Sequence, residues 1–314
     1  SVFLSQQLLK DGKIYLRIYY RIKDIKEILG TFMIPKVIHS VWLSGDDKPT
    51  QYKMCINSWK KVMPDYKIIE WNLTNLPTEI LDHQFVKGAI NAEKWAYATD
   101  VIRLWALKKY GGIYLDMDVF VYRPFDDFLT DRAFSCLEIN PEELYTSVKK
   151  GKKELLGIGI EAGVLGAEKD SPWINDIFSY YKKLEFVNIP KYYCNYIMPR
   201  VVNRVSKEKY GFHQIPVYQS LKYGVKIYPS ETFSWIYKWK LLGMEFSPEN
   251  VKRLGELQPM RYACHLTLHS WWEGMDRKDS IVFKIKHWIY NLTKGKINKK
   301  YLKSILVFKN DDKW

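Results

Sequence analysis

The sequence predicts an α/β fold with a mostly parallel sheet, and three observations lead to that prediction. The apolar run Ile34–Trp42, which comes just before the Gly45-Asp46-Asp47 turn, is typical of a buried first strand. A helical pattern follows over Thr50–Val62, and residues 66–71 alternate as a strand does. A long helix and another short strand then precede residue 125, so strands and helices alternate as they do in β-α-β units.

Composition favours an enzyme-sized body with basic ends. The chain has 314 residues, 47% of them hydrophobic, and a net charge of +14. Residues 1–30 carry six lysines and arginines against three acidic residues, and residues 276–314 carry eleven against four. The middle is nearly balanced and has no basic stripe with a known motif, which argues against nucleic-acid binding.

Other chain-wide signals concern location. The four cysteines, Cys55, Cys136, Cys194 and Cys264, match no metal-ligand spacing and favour buried free thiols in a reducing compartment over two disulfides. No run of about 20 apolar residues could span a bilayer. The chain begins with Ser1, so an upstream anchor stays open as an alternative. These signals predict a cytoplasmic protein, with peripheral attachment to the inner face of the membrane as an option.

Asp116 and Asp118 are the most informative chemical feature. The preceding helix ends on Gly111-Gly112, and the next strand would carry both carboxylates on one side. At roughly 4 Å, two carboxylates repel by about 1 kcal/mol in water and about 4 kcal/mol near a protein surface. The pair therefore needs a proton or a cation, and Mn²⁺ or Mg²⁺ is the expected partner.

The helix before this pair is apolar on nearly all sides, which predicts burial. Asp100 and Arg103 lie on it three residues apart. Buried charges need partners, so the two side chains either pair with each other or hold a polar ligand such as a sugar or a phosphate.

These residues resemble a known family. The pattern A-x-x-x-D-x-x-R followed by L-x-x-x-G-G-I-Y-L-D-x-D, from Ala96 to Asp118, is similar to glycosyltransferases of family 32 type. That group includes yeast-type initiating α-1,6-mannosyltransferases and bacterial capsular polysaccharide transferases, and more distantly clostridial glucosylating toxins. The resemblance implies a GT-A-type nucleotide-sugar-binding fold and retention of anomeric configuration.

The resemblance also implies roles for individual residues. Trp42 would stack on the nucleotide base, with Ser40 and Val41 beside it and Tyr114 packing near the donor sugar. Asp100 and Arg103 would grip that sugar. The segment from Tyr262 to Trp271 resembles the family's terminal A-x-H-x-x-x-x-S-W, so His265 would join Asp116 and Asp118 on the metal. Ser270 and Trp271 would contact the diphosphate. A structural role for Trp42 or His265 is the alternative.

The remaining pattern is less regular. Residues 134–138 and 158–165 indicate strands, with a mobile loop over 142–154 between them, and residues 171–184 and 197–205 indicate helices. Glu161 stands near the expected sugar site, either as a sugar contact or as an ordinary loop carboxylate. Trp235, Tyr237 and Trp239 indicate either an acceptor groove or a half-buried edge strand.

The sequence therefore predicts three parts: a helical extension over 1–33, a catalytic domain over 34–275 and a basic amphipathic segment over 276–314. The last segment would either lie on anionic lipid or dock on the catalytic domain. The predicted function is transfer of a hexose from a nucleotide-diphosphate sugar, UDP-hexose before GDP-mannose, to a glycan or glycolipid in surface polysaccharide assembly. Transfer to a protein, sugar-nucleotide hydrolysis or pyrophosphorylysis, and a non-catalytic lectin-like role are the alternatives.

Overall fold

The computed structural model describes residues 33–151, 157–193, 195–234, 247–258 and 260–268, which all lie in one compact unit. The strands are β1 Val37–Val41, β2 Lys67–Trp71, β3 Gly112–Leu115, β4 Val119–Val121, β5 Ala133–Ile139, β6 Ile158–Ile160, β7 Val164–Ala167, β8 Gln219–Ser220, β9 Val225–Tyr228 and β10 Ala263–His265. The helices are α1 Thr50–Val62, α2 Thr78–Leu81, α3 Gln84–Asn91, α4 Trp95–Tyr110, α5 Pro141–Lys149, α6 Pro172–Tyr181, α7 Pro190–Tyr193, α8 Met198–Val205 and α9 Pro248–Leu257.

The main sheet is mixed, with the described strands in the order β2-β1-β3-β7-β5-β9-β8 and β6 paired to β5. Strand β1 runs parallel to β2 and β3, and β5 runs parallel to β9. Strand β7 lies between β3 and β5 and is antiparallel to both. The α/β prediction is confirmed, but the sheet is less parallel than expected because the chain turns back through β6 and β7.

Helices cover both faces of this sheet. Successive residues of β1 point to opposite faces, and Ile38 joins the core cluster that contains Trp59 of α1. His39 faces the other way, where its ring lies 6.0 Å from that of Tyr110 at the end of α4. The parallel arrangement of β1, β2 and β3 brings their carboxyl ends to one edge, where ligands of open α/β sheets bind.

The turn from α4 into β3 depends on glycine and on His39. Gly111 and Gly112 have φ values of +65° and +107°, and a Cβ on Gly112 would lie 2.5 Å from the Val37 carbonyl oxygen. His39 Nε2 donates to the Gly111 carbonyl oxygen at 2.8 Å, while its Nδ1 accepts from the Trp71 indole at 3.1 Å. Burial lowers the pKa of His39 to about 4, so the ring is neutral. His39 is therefore a structural residue that fixes the start of β3.

Two local predictions are wrong. Residues 141–149 form helix α5 instead of a loop, because the Asn140 side chain accepts hydrogen bonds from the backbone N–H groups of Glu142 and Glu143. The single strand predicted over 158–165 is two strands, β6 and β7. The predicted burial of the cysteines is confirmed for Cys55, Cys136 and Cys264, and Cys55 and Cys136 are free thiols. Within the described part of the chain, every helix is too short or too polar to span a bilayer.

Candidate active site

Asp116 and Asp118 lie in a turn at the carboxyl edge of the sheet, not within a strand as predicted. The Asp116 N–H donates to the Gly163 carbonyl oxygen at 2.9 Å, which extends the β3–β7 pairing by one residue. The Val119 N–H then donates to the Asp116 carbonyl oxygen at 3.0 Å and closes the turn before β4. The two carboxylates still converge, but turn geometry brings them together instead of strand alternation.

His265 reaches this turn through a small second sheet. Strand β10 pairs antiparallel with β4, and His265 lies opposite Val119. Its Nε2 is 3.2 Å from Asp118 Oδ1 and 3.8 Å from Asp116 Oδ2. Asp116, Asp118 and His265 can each offer one ligand atom within 4.8 Å of the others. Two carboxylate oxygens and one imidazole nitrogen form a donor set suited to Mn²⁺ or Mg²⁺.

Glu161 orients His265, a role that differs from both alternatives the sequence left open. The residue is buried at 2% exposure, and its Oε1 accepts from His265 Nδ1 at 2.9 Å and from the Gly163 N–H at 2.9 Å. Ser234 Oγ donates to the other carboxylate oxygen at 2.9 Å. With Nδ1–H bonded to Glu161, the Nε2 lone pair is left for a cation. Carboxylate–histidine pairs commonly hold metal-binding imidazoles in this way.

The opposite charges in this cluster shift one another's pKa values. Burial alone would raise the pKa of the Asp118 and Glu161 carboxyls, but His265 more than offsets this and holds both below their ordinary values. Burial would likewise lower the pKa of His265, but Glu161 and Asp118 raise it well above its usual value. Without a metal the cluster is therefore neutralised in part by a protonated His265, and a cation would displace that proton.

Gly163 keeps space open beside the metal-ligand candidates. A Cβ at this position would lie 2.7 Å from His265 Nδ1 and 3.0 Å from Asp116 Oδ2. A side chain there would have to displace one of these groups, so a glycine is required for the observed geometry.

Asp100, Arg103 and Tyr114 form a network behind Asp116. Arg103 Nη2 lies 2.8 Å from Asp100 Oδ1 and 3.3 Å from Asp116 Oδ1, and Nη1 donates to the Ala162 carbonyl oxygen at 2.7 Å. The Tyr114 hydroxyl donates to Asp116 Oδ1 at 2.6 Å, and its ring lies 4.4 Å from the guanidinium. One oxygen of Asp116 is thus fixed from behind while the other faces His265.

Asp100 is held by groups of the protein itself. Its Oδ2 accepts from the Met198 N–H at 3.1 Å, and burial raises its pKa to about 7 although Arg103 lies against it. The pairing of Asp100 with Arg103 is one of the two alternatives that the sequence left open. Their predicted contact with the donor sugar stays a prediction.

Trp42 directly follows β1 at the same edge of the sheet. Its ring is half-buried, with its indole N–H donating to the Asp46 carbonyl oxygen at 2.8 Å and the Lys48 ammonium 5.4 Å from the ring centroid. The Ser40 and Val41 side chains are buried, so only their backbone could meet a ligand. Ser270 and Trp271, like Trp235, Tyr237 and Trp239, lie outside the described residues.

Comparison with known proteins finds a family match over part of the chain. Residues 49–135 match the family described as "Glycosyltransferase sugar-binding region containing DXD motif". This match covers α1 through the start of β5 and includes the Asp116-Met117-Asp118 turn. This part of the chain is therefore similar to the DXD-containing glycosyltransferases, as the sequence pattern predicted.

Individual relatives are similar over part of their length. Inositol phosphoceramide mannosyltransferase 3 of Schizosaccharomyces pombe is 26% identical over 169 residues, which are 53% of this chain and 40% of the relative. Mannosyl phosphorylinositol ceramide synthase SUR1 of Saccharomyces cerevisiae is 31% identical over 110 residues, which are 32% of this chain and 27% of the relative. The chain therefore spans less than half the length of these curated relatives. Among solved structures, PaToxG glycosyltransferase aligns with 17% identity and a TM-score of 0.41 over 62% of this chain and 80% of that one.

Proposed function

We propose that this protein is a metal-dependent, retaining glycosyltransferase that moves a hexose from a nucleotide-diphosphate sugar to a carbohydrate or glycolipid acceptor. The observation that carries the proposal is the convergence of Asp116, Asp118 and His265 within 4.8 Å at the carboxyl edge of the sheet. Asp116 and Asp118 lie within the region that matches the DXD family. We further propose that residues 34–275 form the catalytic domain.

The metal ligands in this proposal are Asp116, Asp118 and His265, with Mn²⁺ or Mg²⁺ as the ion. When bound, the cation supplies positive charge that stabilises the diphosphate as it leaves the sugar. Asp118 is fixed for this role, because its Oδ2 accepts from the Leu268 N–H at 2.8 Å. Asp116 is fixed by Tyr114, and His265 by Glu161.

The donor would lie across this edge. Trp42 offers a half-buried ring face to the base, and Ser40 and Val41 flank it on β1. The donor sugar would contact Asp100, Arg103 and Tyr114, which lie next to Asp116. Ser270 and Trp271 would contact the diphosphate.

Two donor classes enter the proposal, UDP-hexose and GDP-mannose. The names of the relatives, inositol phosphoceramide mannosyltransferase and mannosyl phosphorylinositol ceramide synthase, support mannose as the sugar and a glycolipid as the acceptor for this chain. A role in surface polysaccharide assembly and contact of residues 276–314 with an anionic membrane on the cytoplasmic side belong to the same proposal.

Product analysis tests the activity. The protein is incubated with UDP-glucose, UDP-galactose or GDP-mannose, with Mn²⁺, and with or without a panel of glycolipid and oligosaccharide acceptors. A new glycosidic product that requires both donor and acceptor is expected. Release of free sugar at the same rate with and without acceptor would contradict transfer and indicate a hydrolase. The same assay compares Asp118→Asn with a control variant, Asp82→Asn, which changes an exposed carboxylate away from the site.

A further inference from the structure

A cavity with several charged side chains in its lining lies at the opposite edge of the sheet from the candidate metal site. Its volume is about 390 Å³, within the range of small-ligand sites. It is formed by the end of α4, the turn between α2 and α3, the segment after β7, and α6. Gly112 at the start of β3 pairs with Ala167 at the end of β7, whereas Asp116 follows the other end of β3. The cavity is therefore separate from the D-x-D turn.

The charge in this cavity is unbalanced. Four lysines and two carboxylates line it, and one carboxylate, Glu79, already pairs with Lys109 at 2.9 Å. Lys108, Lys169 and Lys182 have no carboxylate within salt-bridge distance among the described residues, and Asp170 is the only other acidic residue in the lining. Like charges gathered around one cavity repel unless an anion joins them.

Two of these lysines converge on one aromatic ring. The Lys108 and Lys182 ammoniums lie 5.6 Å and 5.4 Å from the centroid of Phe178. The Asp170 N–H donates to the Lys108 carbonyl oxygen at 3.0 Å, which ties the segment after β7 to the end of α4 and keeps Lys169 next to Lys108 in space. Asp170 holds a left-handed backbone with φ of +57°, a conformation unusual for a residue other than glycine. The fold thus places the three ammoniums around one opening.

His83 adds unused hydrogen-bonding capacity. Both of its ring nitrogens are buried and have no hydrogen-bond partner among the described residues, and its ring lies 5.6 Å from Phe178. Burial and the charge of Lys182 lower its pKa, so the ring is neutral and has one donor and one acceptor to offer. Buried polar groups without partners in a folded protein call for an explanation, and a ligand in the adjoining cavity is one.

We propose that this cavity binds a phosphate-bearing ligand, with Lys108, Lys169 and Lys182 contacting the phosphate, His83 bonding a hydroxyl, and Phe178 forming the apolar wall. A phosphate monoester carries close to two negative charges at neutral pH, which suits three lysines that lack carboxylate partners. Ammoniums and an aromatic face together suit a phosphorylated sugar or a phosphorylated lipid head group.

The test is a comparison of two double variants of the full chain. Lys108→Gln with Lys182→Gln removes two cavity lysines from the ends of helices. Lys60→Gln with Lys61→Gln removes two exposed lysines from the last turn of α1, with the same change in net charge. Calorimetry with inorganic phosphate and with glucose 6-phosphate, at constant ionic strength, measures binding. At least a tenfold loss of affinity is expected for the first variant and no change for the second.

Further arms separate the sources of the phosphate and the two sites. Asp116→Asn with Asp118→Asn should bind phosphate as the wild type does, because the D-x-D turn lies at the other edge. Flotation with vesicles containing phosphatidylinositol 4-phosphate shows whether a lipid head group is bound, and its loss in the cavity variant alone would assign the phosphate to a lipid. Equal affinity in both lysine variants, equal loss in both, or no phosphate binding by the wild type would overturn the proposal.

Discussion

Replacing Glu161 with glutamine is expected to weaken Mn²⁺ binding by about tenfold without unfolding the protein. Glutamine has nearly the same shape as glutamate, so it can still accept from Gly163 and from His265, and its amide can donate to Ser234. What is lost is the charge on the acceptor of the His265 Nδ1–H bond. Hydrogen bonds to charged groups contribute about 1.5–3 kcal/mol and neutral ones about 0.5–1.5 kcal/mol. The difference of about 1–1.5 kcal/mol corresponds to a factor of about ten, at the lower end of the roughly 10–100-fold range for such partners.

Mn²⁺ titration followed by electron paramagnetic resonance, at pH 8 to limit competition from the proton on His265, measures this effect. Glu168→Gln is the matched control, because Glu168 is also buried but pairs with Arg132 away from the site. Thermal unfolding checks that both variants are folded. Unchanged Mn²⁺ affinity in a folded Glu161→Gln variant would refute the inference that this carboxylate orients a metal ligand.

Three further predictions test other parts of the site. Gly163→Ala should abolish Mn²⁺ binding in a titration, because its Cβ would lie 2.7 Å from His265 Nδ1, whereas Gly88→Ala, with its nearest atom at 3.2 Å, should bind normally. Raising the pH should strengthen Mn²⁺ binding in the same assay, because the proton on His265 must leave before the metal binds. Burial alone would lower the pKa of His265, but Glu161 and Asp118 raise it. In the metal-free protein, the free energy of unfolding measured in urea should correspondingly fall as the pH rises above about 6.5, because a group with a raised folded-state pKa stabilises the native state only while its proton is bound. A free energy of unfolding that increases from pH 7 to 9 would contradict this. Trp42→Ala should raise the KM for the donor about tenfold, which is equivalent to about 1.4 kcal/mol of lost stacking. Trp42→Phe should retain most of this stacking energy. Equal KM values for the alanine variant and the wild type would show that Trp42 does not contact the donor.

Local sequence signals predicted much of the fold. Helix α1 has the predicted bounds, Thr50–Val62, because an amphipathic pattern without breakers runs between Pro49 and Pro64. Helix α4 ends at Gly111 as expected, since Gly111 has φ of +65° and ψ of −170°, a backbone conformation essentially confined to glycine. Helix α5 could have been predicted as well, because Asn140-Pro141-Glu142-Glu143 is a cap followed by a favourable first turn.

The candidate site could be predicted only in part, because its geometry depends on contacts distant in sequence. The D-x-D pattern identified the two carboxylates, but only the hydrogen bond from Asp116 to Gly163 shows that they lie in a turn. The partner of His265 is Glu161, which is 104 residues away, and no spacing rule connects the two. The order of β7 between β3 and β5 is likewise a long-range feature that an alternating pattern of helices and strands does not specify.

The central claim is that Asp116 and Asp118 hold a divalent cation that in turn binds the donor diphosphate. The most direct measurement is the thermal shift caused by UDP-glucose and by GDP-mannose, with and without Mn²⁺, in the wild type and in the Asp116→Asn, Asp118→Asn double variant. A ligand at 100 times its dissociation constant stabilises the native state by about 2.7 kcal/mol. The wild type should show that shift with one donor only when Mn²⁺ is present, and the double variant should show none. A donor shift that is independent of Mn²⁺, or that persists in a folded double variant, would contradict the claim.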